Sequence, residues 1–188
     1  MPSVSELSTA LAKSCQLWLI SGNSLKITQA HCDVIKTFWE KGNGVYIWGD
    51  NDPYYQDANF LAKVLIHPSA GMSGNVPGQK NVGLTSSPNS PGFVSHMITT
   101  GFQTIYEGIT IATIASSNYL TPLITGSANN LVTAYSEQGN RRLMIDGGFT
   151  RIMDDYWDSV GTGAFVSNSA GWLCNLEVQR SELDSLIR

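Results

Sequence analysis

At 188 residues, with 42% hydrophobic and only 14% charged side chains, the chain has the material for one folded domain with a real core and is too apolar to be disordered. A net charge of −4 removes the electrostatic case for binding nucleic acid or an anionic membrane surface. No run approaches the roughly 20 apolar residues of a membrane span. Met1 to Lys13 lacks the basic and apolar regions of a signal peptide, so a cytoplasmic setting is expected.

In chain order, Ser3-Val-Ser-Glu6 is a capping box, and Val4, Leu7, Ala10 and Leu11 continue it as a helix. Gln16 to Ile20 reads as a strand closed by Ser21-Gly22-Asn23. Ile27, Ala30, Val34, Ile35 and Phe38 share one helical face, and Gly42-Asn43-Gly44 stops it. Val45-Tyr-Ile-Trp48 is the most strand-like stretch of the chain. Gly49 ends it, Asp50-Asn51-Asp52-Pro53 supplies a turn, and Phe60, Leu61, Val64 and Leu65 return to helical spacing. Asp52 is expected as the cap of that helix, with Pro53 at its first position. Residues 67–92 read as an irregular loop region holding one short strand at Val82-Gly-Leu84. Tyr106 to Ile114 reads as a single strand and Leu120 to Ile124 as a brief extended segment. Leu131 to Ser136 and Arg142 to Asp146 flank Glu137-Gln-Gly-Asn-Arg141 as a hairpin. Ala164 to Asn175 reads as a helix, and Glu177 to Arg188 as a polar tail.

The alternation predicts one α/β domain, a three-layer sandwich with a mostly parallel central sheet and a C-terminal antiparallel hairpin. Opening on a helix suggests that a first strand is missing. Cys15, Cys32 and Cys174 form no CxxC or Cys/His cluster, so neither a metal site nor a disulfide framework is expected, and three reduced thiols are. The Gly71 to Gly78 stretch lacks the Lys-Ser/Thr of a phosphate loop.

Three features resemble a family. The strand-turn-helix of Gly44 to Leu65, the His96 to Gly101 segment before Tyr106-Glu-Gly-Ile-Thr110, and a hairpin running into Ile145-Asp-Gly-Gly148 are together similar to class I glutamine amidotransferase-like (flavodoxin-like) domains. The trehalose-utilisation-type (ThuA-like) members are the nearer comparison, over most of residues 14–175. That resemblance implies a cysteine nucleophile at the turn after the central strand and a histidine base after a later one. Here the turn reads Trp48-Gly-Asp-Asn-Asp52 and the later exit Asp146-Gly-Gly-Phe149, with neither. His31 and Cys32 cannot stand in, because adjacent helical positions face apart. Ordinary glutaminase activity is therefore not expected.

What remains are strand-end polar groups. Asp50, Asn51, Asp52 and Tyr54 on one turn, and Asp146, Gly147, Gly148, Thr150 and Arg151 on the other, emerge on the same side of the expected sheet, where α/β folds bind ligands. Asp50 and Asp146 could work as an acid/base pair if burial raised one pKa, with Glu107 and His96 as further candidates. Against this, the carboxylates can be turn and cap groups, the glycines can serve a tight turn, and a lone His is commonly structural. Tyr54, Tyr55, Tyr156 and Trp157 can line a pocket or an interface, or simply pack.

The expectation is a non-catalytic amidotransferase-like binding module without cofactor or metal. Its ligand would be a small polar molecule or a protein partner, within an oligomer or larger assembly. The competing expectation is a carboxylate-dependent hydrolase or lyase acting on a small polar or sugar-like substrate. A purely structural domain whose open sheet edge invites a partner strand is the third.

Overall fold

The computed structural model describes residues 1–158 and 160–179. Helix α1 (Val4–Leu11) opens as its capping box dictates: the Ser3 hydroxyl accepts from the Glu6 N–H, and Glu6 accepts the Ser3 N–H at 2.7 Å. Strand β1 (Gln16–Ile20), helix α2 (Gln29–Glu40), strand β2 (Gly44–Trp48) and helix α3 (Gln56–Leu65) follow with short connections. Asp52 does not cap α3. The Asp52–Pro53 peptide is cis, residues 51–55 form a turn, and the helix begins at Gln56. Its free N–H groups at Asp57 and Ala58 donate instead to the Ser21 hydroxyl, at 3.1 and 3.3 Å, from the end of β1.

The supposed loop region is more ordered than its turn residues suggest. Met72–Pro77 is strand β3, Asn81–Gly83 is β4 and Gly92–Phe93 is β5. The expected single strand over 106–114 is two, β6 (Thr104–Tyr106) and β7 (Thr110–Ile114), because Gly108 at φ +117° breaks the run between them. β4 pairs with β6 and β3 with β7, both antiparallel, as two-stranded ribbons beside the main sheet. β8 (Thr121–Thr125), β9 (Leu131–Gln138) and β10 (Arg141–Asp146) follow. The hairpin turn is tighter than expected, with only Gly139, in the left-handed region at φ +64°, and Asn140 between strands. Helix α4 (Asp154–Trp157) is a single turn, α5 (Thr162–Leu173) follows, residues 176–179, where the expected tail begins, form one more helical turn, and residues 180–188 lie outside the described residues.

The main sheet runs β1-β2-β10-β9-β8-β5. β1–β2 and β2–β10 are parallel, whereas β10–β9, β9–β8 and β8–β5 are antiparallel. The expectation of a mostly parallel sheet is therefore corrected to an α/β fold with a mixed, largely antiparallel one. Two connections show why: the link from β1 to β2 through α2 is long enough for a parallel crossover, whereas the two-residue turn between β9 and β10 can join only antiparallel strands.

Alternation along the central strands builds two cores. Val45, Ile47, Leu143 and Ile145 face α1, α2 and α3, packing with Leu11, Ile35, Phe38 and Leu61. Tyr46, Trp48 and Met144 face the other way, onto Phe165, Trp172 and Leu173 of α5 and Ile98. Gly44 lets α5 close onto β2, since a Cβ there would overlap the Leu173 carbonyl. That contact brings the end of α5 to the start of β1. Cys15 and Cys174 lie with Cα atoms 5.5 Å apart and form a disulfide, overturning the expectation of three reduced thiols; Cys32 alone stays free and buried.

Candidate functional site

The turns after β2 and β10 are stitched together by their backbones. The Gly49 N–H donates to the Asp146 carbonyl at 2.8 Å, and the Phe149 N–H donates to the Gly49 carbonyl at 3.2 Å. Asp50 and Asp146 thus share one edge, as the sequence leads one to expect, and they sense each other: Asp146 is among the charges that raise the Asp50 pKa.

Asp146, however, is closed off. It is fully buried, and its carboxylate accepts from the Thr133 hydroxyl at 2.7 Å, the Tyr46 hydroxyl at 3.2 Å and the Gly148 N–H at 2.8 Å. The equally buried Arg151 guanidinium approaches it at 3.3 Å. Burial pushes the Asp146 carboxyl up, against the pull of Arg151 and the three donors, and burial also lifts the Tyr46 phenol well above its ordinary value. Arg151 donates further to the carbonyls of Gly148 and Glu107 and to the Thr133 hydroxyl, and its guanidinium lies 5.5 Å from the Phe165 ring. Gly147 and Gly148 serve close packing as well as the turn, because a Cβ on either would strike the carbonyl of Ala112 or Glu107.

Glu107 is likewise consumed. Its fully buried carboxylate accepts from the Ser127 N–H at 2.6 Å, the Ser127 hydroxyl at 2.7 Å and the Lys80 N–H at 3.1 Å, tying three segments together. Thr150 turns inward too, accepting the Ile109 N–H at 2.8 Å. His96 sits apart from this group. It caps the 3₁₀ turn Met97–Thr99 by accepting the Ile98 N–H, and its ring packs 4.6 Å from Tyr135 and 5.5 Å from Trp172. Burial lowers its pKa, as expected of a neutral packed imidazole.

Asp50 is the exception. Burial pushes its carboxyl up to about 7, although the Asn51 and Thr150 N–H groups pull against that. Its turn neighbours face outward: Asp52 and Tyr54 are exposed, and the Asn51 amide bonds the Asp52 carbonyl and Asn75. Neither Asp50 nor Asp146 lines the cavities of about 450–530 Å³ that lie elsewhere among the described residues. Among the described residues no three His, Cys, Asp or Glu side chains gather as metal ligands. Tyr156 stacks on Tyr106 at 4.2 Å, while Trp157 stays partly exposed on α4.

A different surface carries the open features. β1 forms the edge of the main sheet, and among the described residues β2 alone pairs with it. The Cys15 carbonyl accepts from Gly44 N–H and the Ser21 N–H donates to the Trp48 carbonyl, so by alternation Leu17 and Leu19 also direct their backbone groups to β2. The N–H and C=O of Trp18 and Ile20 face outward. Alongside lies a mainly apolar cavity of about 450 Å³ lined by Leu17, Trp18, Leu19, Ile20, Ile27 and Ile35, among others. The sequence reveals the strand but not the edge, since strand order is invisible locally. Sequence reasoning also missed Asp57, although it falls on the apolar stripe of Ala58, Leu61 and Leu65; its carboxylate accepts the Lys26 and Ile27 N–H groups at 2.6 and 2.9 Å.

No family model matches the sequence, and no curated protein matches it significantly. Solved structures do share its fold. The mmIFT52 N-terminal domain superposes with a TM-score of 0.69 at 17% identity, over 89% of this chain and 80% of that one. Cytoplasmic Protein STM1381 from Salmonella typhimurium LT2 gives 0.64 at 14% identity, over 88% and 74%. Cytoplasmic Protein STM3548 from Salmonella typhimurium gives 0.59 at 14%, over 92% and 75%. Together with the mixed sheet, these neighbours overturn the glutamine amidotransferase-like assignment: a strand-turn-helix and a Gly-Gly strand exit are features of many sheet ends, and the fold they belong to here is that of these neighbours.

Proposed function

We propose that the chain is a non-catalytic binding module that takes an extended segment of a partner protein as an added strand beside β1. The observation that carries this reading is the β1 edge: a five-residue strand without a charged side chain, with the backbone groups of Trp18 and Ile20 unpaired among the described residues and an apolar cavity alongside to receive alternate side chains. The carboxylate-enzyme reading rests on Asp50 alone, since Asp146 and Glu107 are committed to internal donors. A cytoplasmic setting is part of the proposal, supported by the likeness to Cytoplasmic Protein STM1381.

The test is a display library of extended apolar peptides selected on the folded chain, with bound peptides mapped by amide hydrogen exchange. Selected peptides are expected to protect the Trp18 and Ile20 amides. Ile20→Pro removes one outward N–H at a position where an edge strand tolerates proline, so it should leave the fold intact and weaken binding about tenfold or more. Peptides that protect residues elsewhere, or bind Ile20→Pro equally well, would sink the proposal.

A further inference from the structure

At the amino end of the parallel strands, opposite Asp50 and Asp146, lies a polar cavity of about 480 Å³ whose wall includes the Cys15–Cys174 disulfide. Asn43, Asn140, Asn175, Gln179, Glu137 and Arg142 supply amides and charges around it. Cys15 is exposed, just before β1, whereas Cys174 is buried at the end of α5.

The frame that holds the two cysteines does not need the bond between them. The Cys15 carbonyl accepts the Gly44 N–H at 3.0 Å. Asn175, next to Cys174, donates its amide to the carbonyls of Gly42 at 3.3 Å and Asn140 at 3.1 Å. The Cys174 N–H donates to Ala170 at 3.2 Å, and Gly44 packs against Leu173. Both cysteines are thus fastened to the same 42–44 connection by contacts that do not involve the S–S bond.

We infer that Cys15–Cys174 is a reversible thiol–disulfide pair that exchanges with small peptide thiols entering this cavity, with Cys15 as the exchanging sulfur. The peptide thiolate attacks the sulfur of Cys15, the more exposed residue of the pair, the protein S–S bond breaks, and Cys174 departs as thiolate and takes a proton from solvent. A second peptide thiolate then attacks the peptide sulfur of the mixed disulfide, forming a peptide disulfide and releasing Cys15, which is protonated in turn. Two thiols are oxidised and one protein disulfide is reduced, so the electrons balance. The amide nitrogens of Asn43, Asn175 and Gln179 are taken by backbone carbonyls, so their amide oxygens are the groups left to accept the N–H groups of a peptide thiol, and a pocket of this volume is within the range that holds a small ligand.

The experiment uses the whole chain equilibrated in glutathione buffers of graded reduced-to-oxidised ratio, quenched with acid and weighed by mass spectrometry, with near-ultraviolet circular dichroism read in parallel. One reversible two-electron transition is expected, with the tertiary signal retained in the reduced protein. In Cys174→Ser the adduct should collect on Cys15, roughly tenfold or more faster than on the buried Cys32, whose thiol burial pushes up to about 11. In Cys15→Ser no comparable adduct should appear on Cys174. Loss of the tertiary signal on reduction, or absence of a Cys15 adduct in folded Cys174→Ser, would overturn the inference and leave the bond a structural staple.

Discussion

The two ends of the parallel strands use polar chemistry in opposite ways. At the carboxyl ends of β2 and β10, where ligands sit in many α/β proteins, Asp146 and Arg151 lie fully buried and their polar atoms are turned on one another and on neighbouring backbone. At the amino ends, polar groups line open space: the cavity between Asn43, Asn140 and Asn175 has the disulfide in its wall. Charge at a strand end is therefore not by itself a site. What separates the two ends is burial: Asp146 and Arg151 are sealed from solvent, whereas the amino-end groups border an open cavity even though the Asn43, Asn175 and Gln179 amides and Arg142 are also engaged.

The hardest blow to this contrast is aimed at Arg151. Arg151→Ala strands the Asp146 carboxylate and should lower stability by about 3–5 kcal/mol in urea unfolding, the range for breaking a buried ion pair. A loss under about 1 kcal/mol would mean that solvent reaches the group and that the carboxyl end is open after all.

Asp50 makes stability at the carboxyl end depend on pH. Its folded pKa, raised by burial from 3.8 to about 7, makes the folded state the tighter proton binder. Stability from this group is full below about pH 4, falls as pH rises towards 7 and is constant above that. The total change is as much as about 4 kcal/mol at about 1.4 kcal/mol per unit. Asp50→Asn should flatten that slope in unfolding curves taken between pH 4.5 and 7.5; an unchanged slope would assign the titration elsewhere.

The amino end is probed last. Reducing Cys15–Cys174 frees a loop of 159 residues and should cost about 2–4 kcal/mol while leaving the native signal in place. No measurable change would mean that the Asn175 frame alone carries the closure.

Much of the fold was legible because it is local. The Ser3–Glu6 box, the periodicity of Ile27 to Phe38, the apolar run Val45 to Trp48 and the hairpin around Gly139-Asn140 all lie near where the residues put them. Pairing was not legible. Nothing near Leu123 or Val132 records that their strands run antiparallel to their neighbours, and β3 is built from Met72 to Pro77, residues whose glycine and proline argue for a turn until β7 pairs with them. The carboxylates were found by type, but Asp146 becomes inert through Tyr46 and Thr133, which are 100 and 13 residues distant. Cys15 and Cys174 meet only because α5 closes over the sheet.

The clasp between Ser21 and Asp57 bears on how this chain can change over generations. Ser21 accepts two N–H groups from the start of α3, and Asp57 of that same turn accepts two from the segment after β1, so each residue fixes the element that holds the other. Losing Ser21 leaves the two N–H groups at the start of α3 unanswered and losing Asp57 leaves those of Lys26 and Ile27 unanswered, and because each residue steadies the other's element the two losses together should hurt less than their sum. A descendant lineage therefore has no easy single step away from this pair. Among relatives that keep the β1 edge, the two positions should be inherited as a unit and replaced, where they are replaced, within one episode.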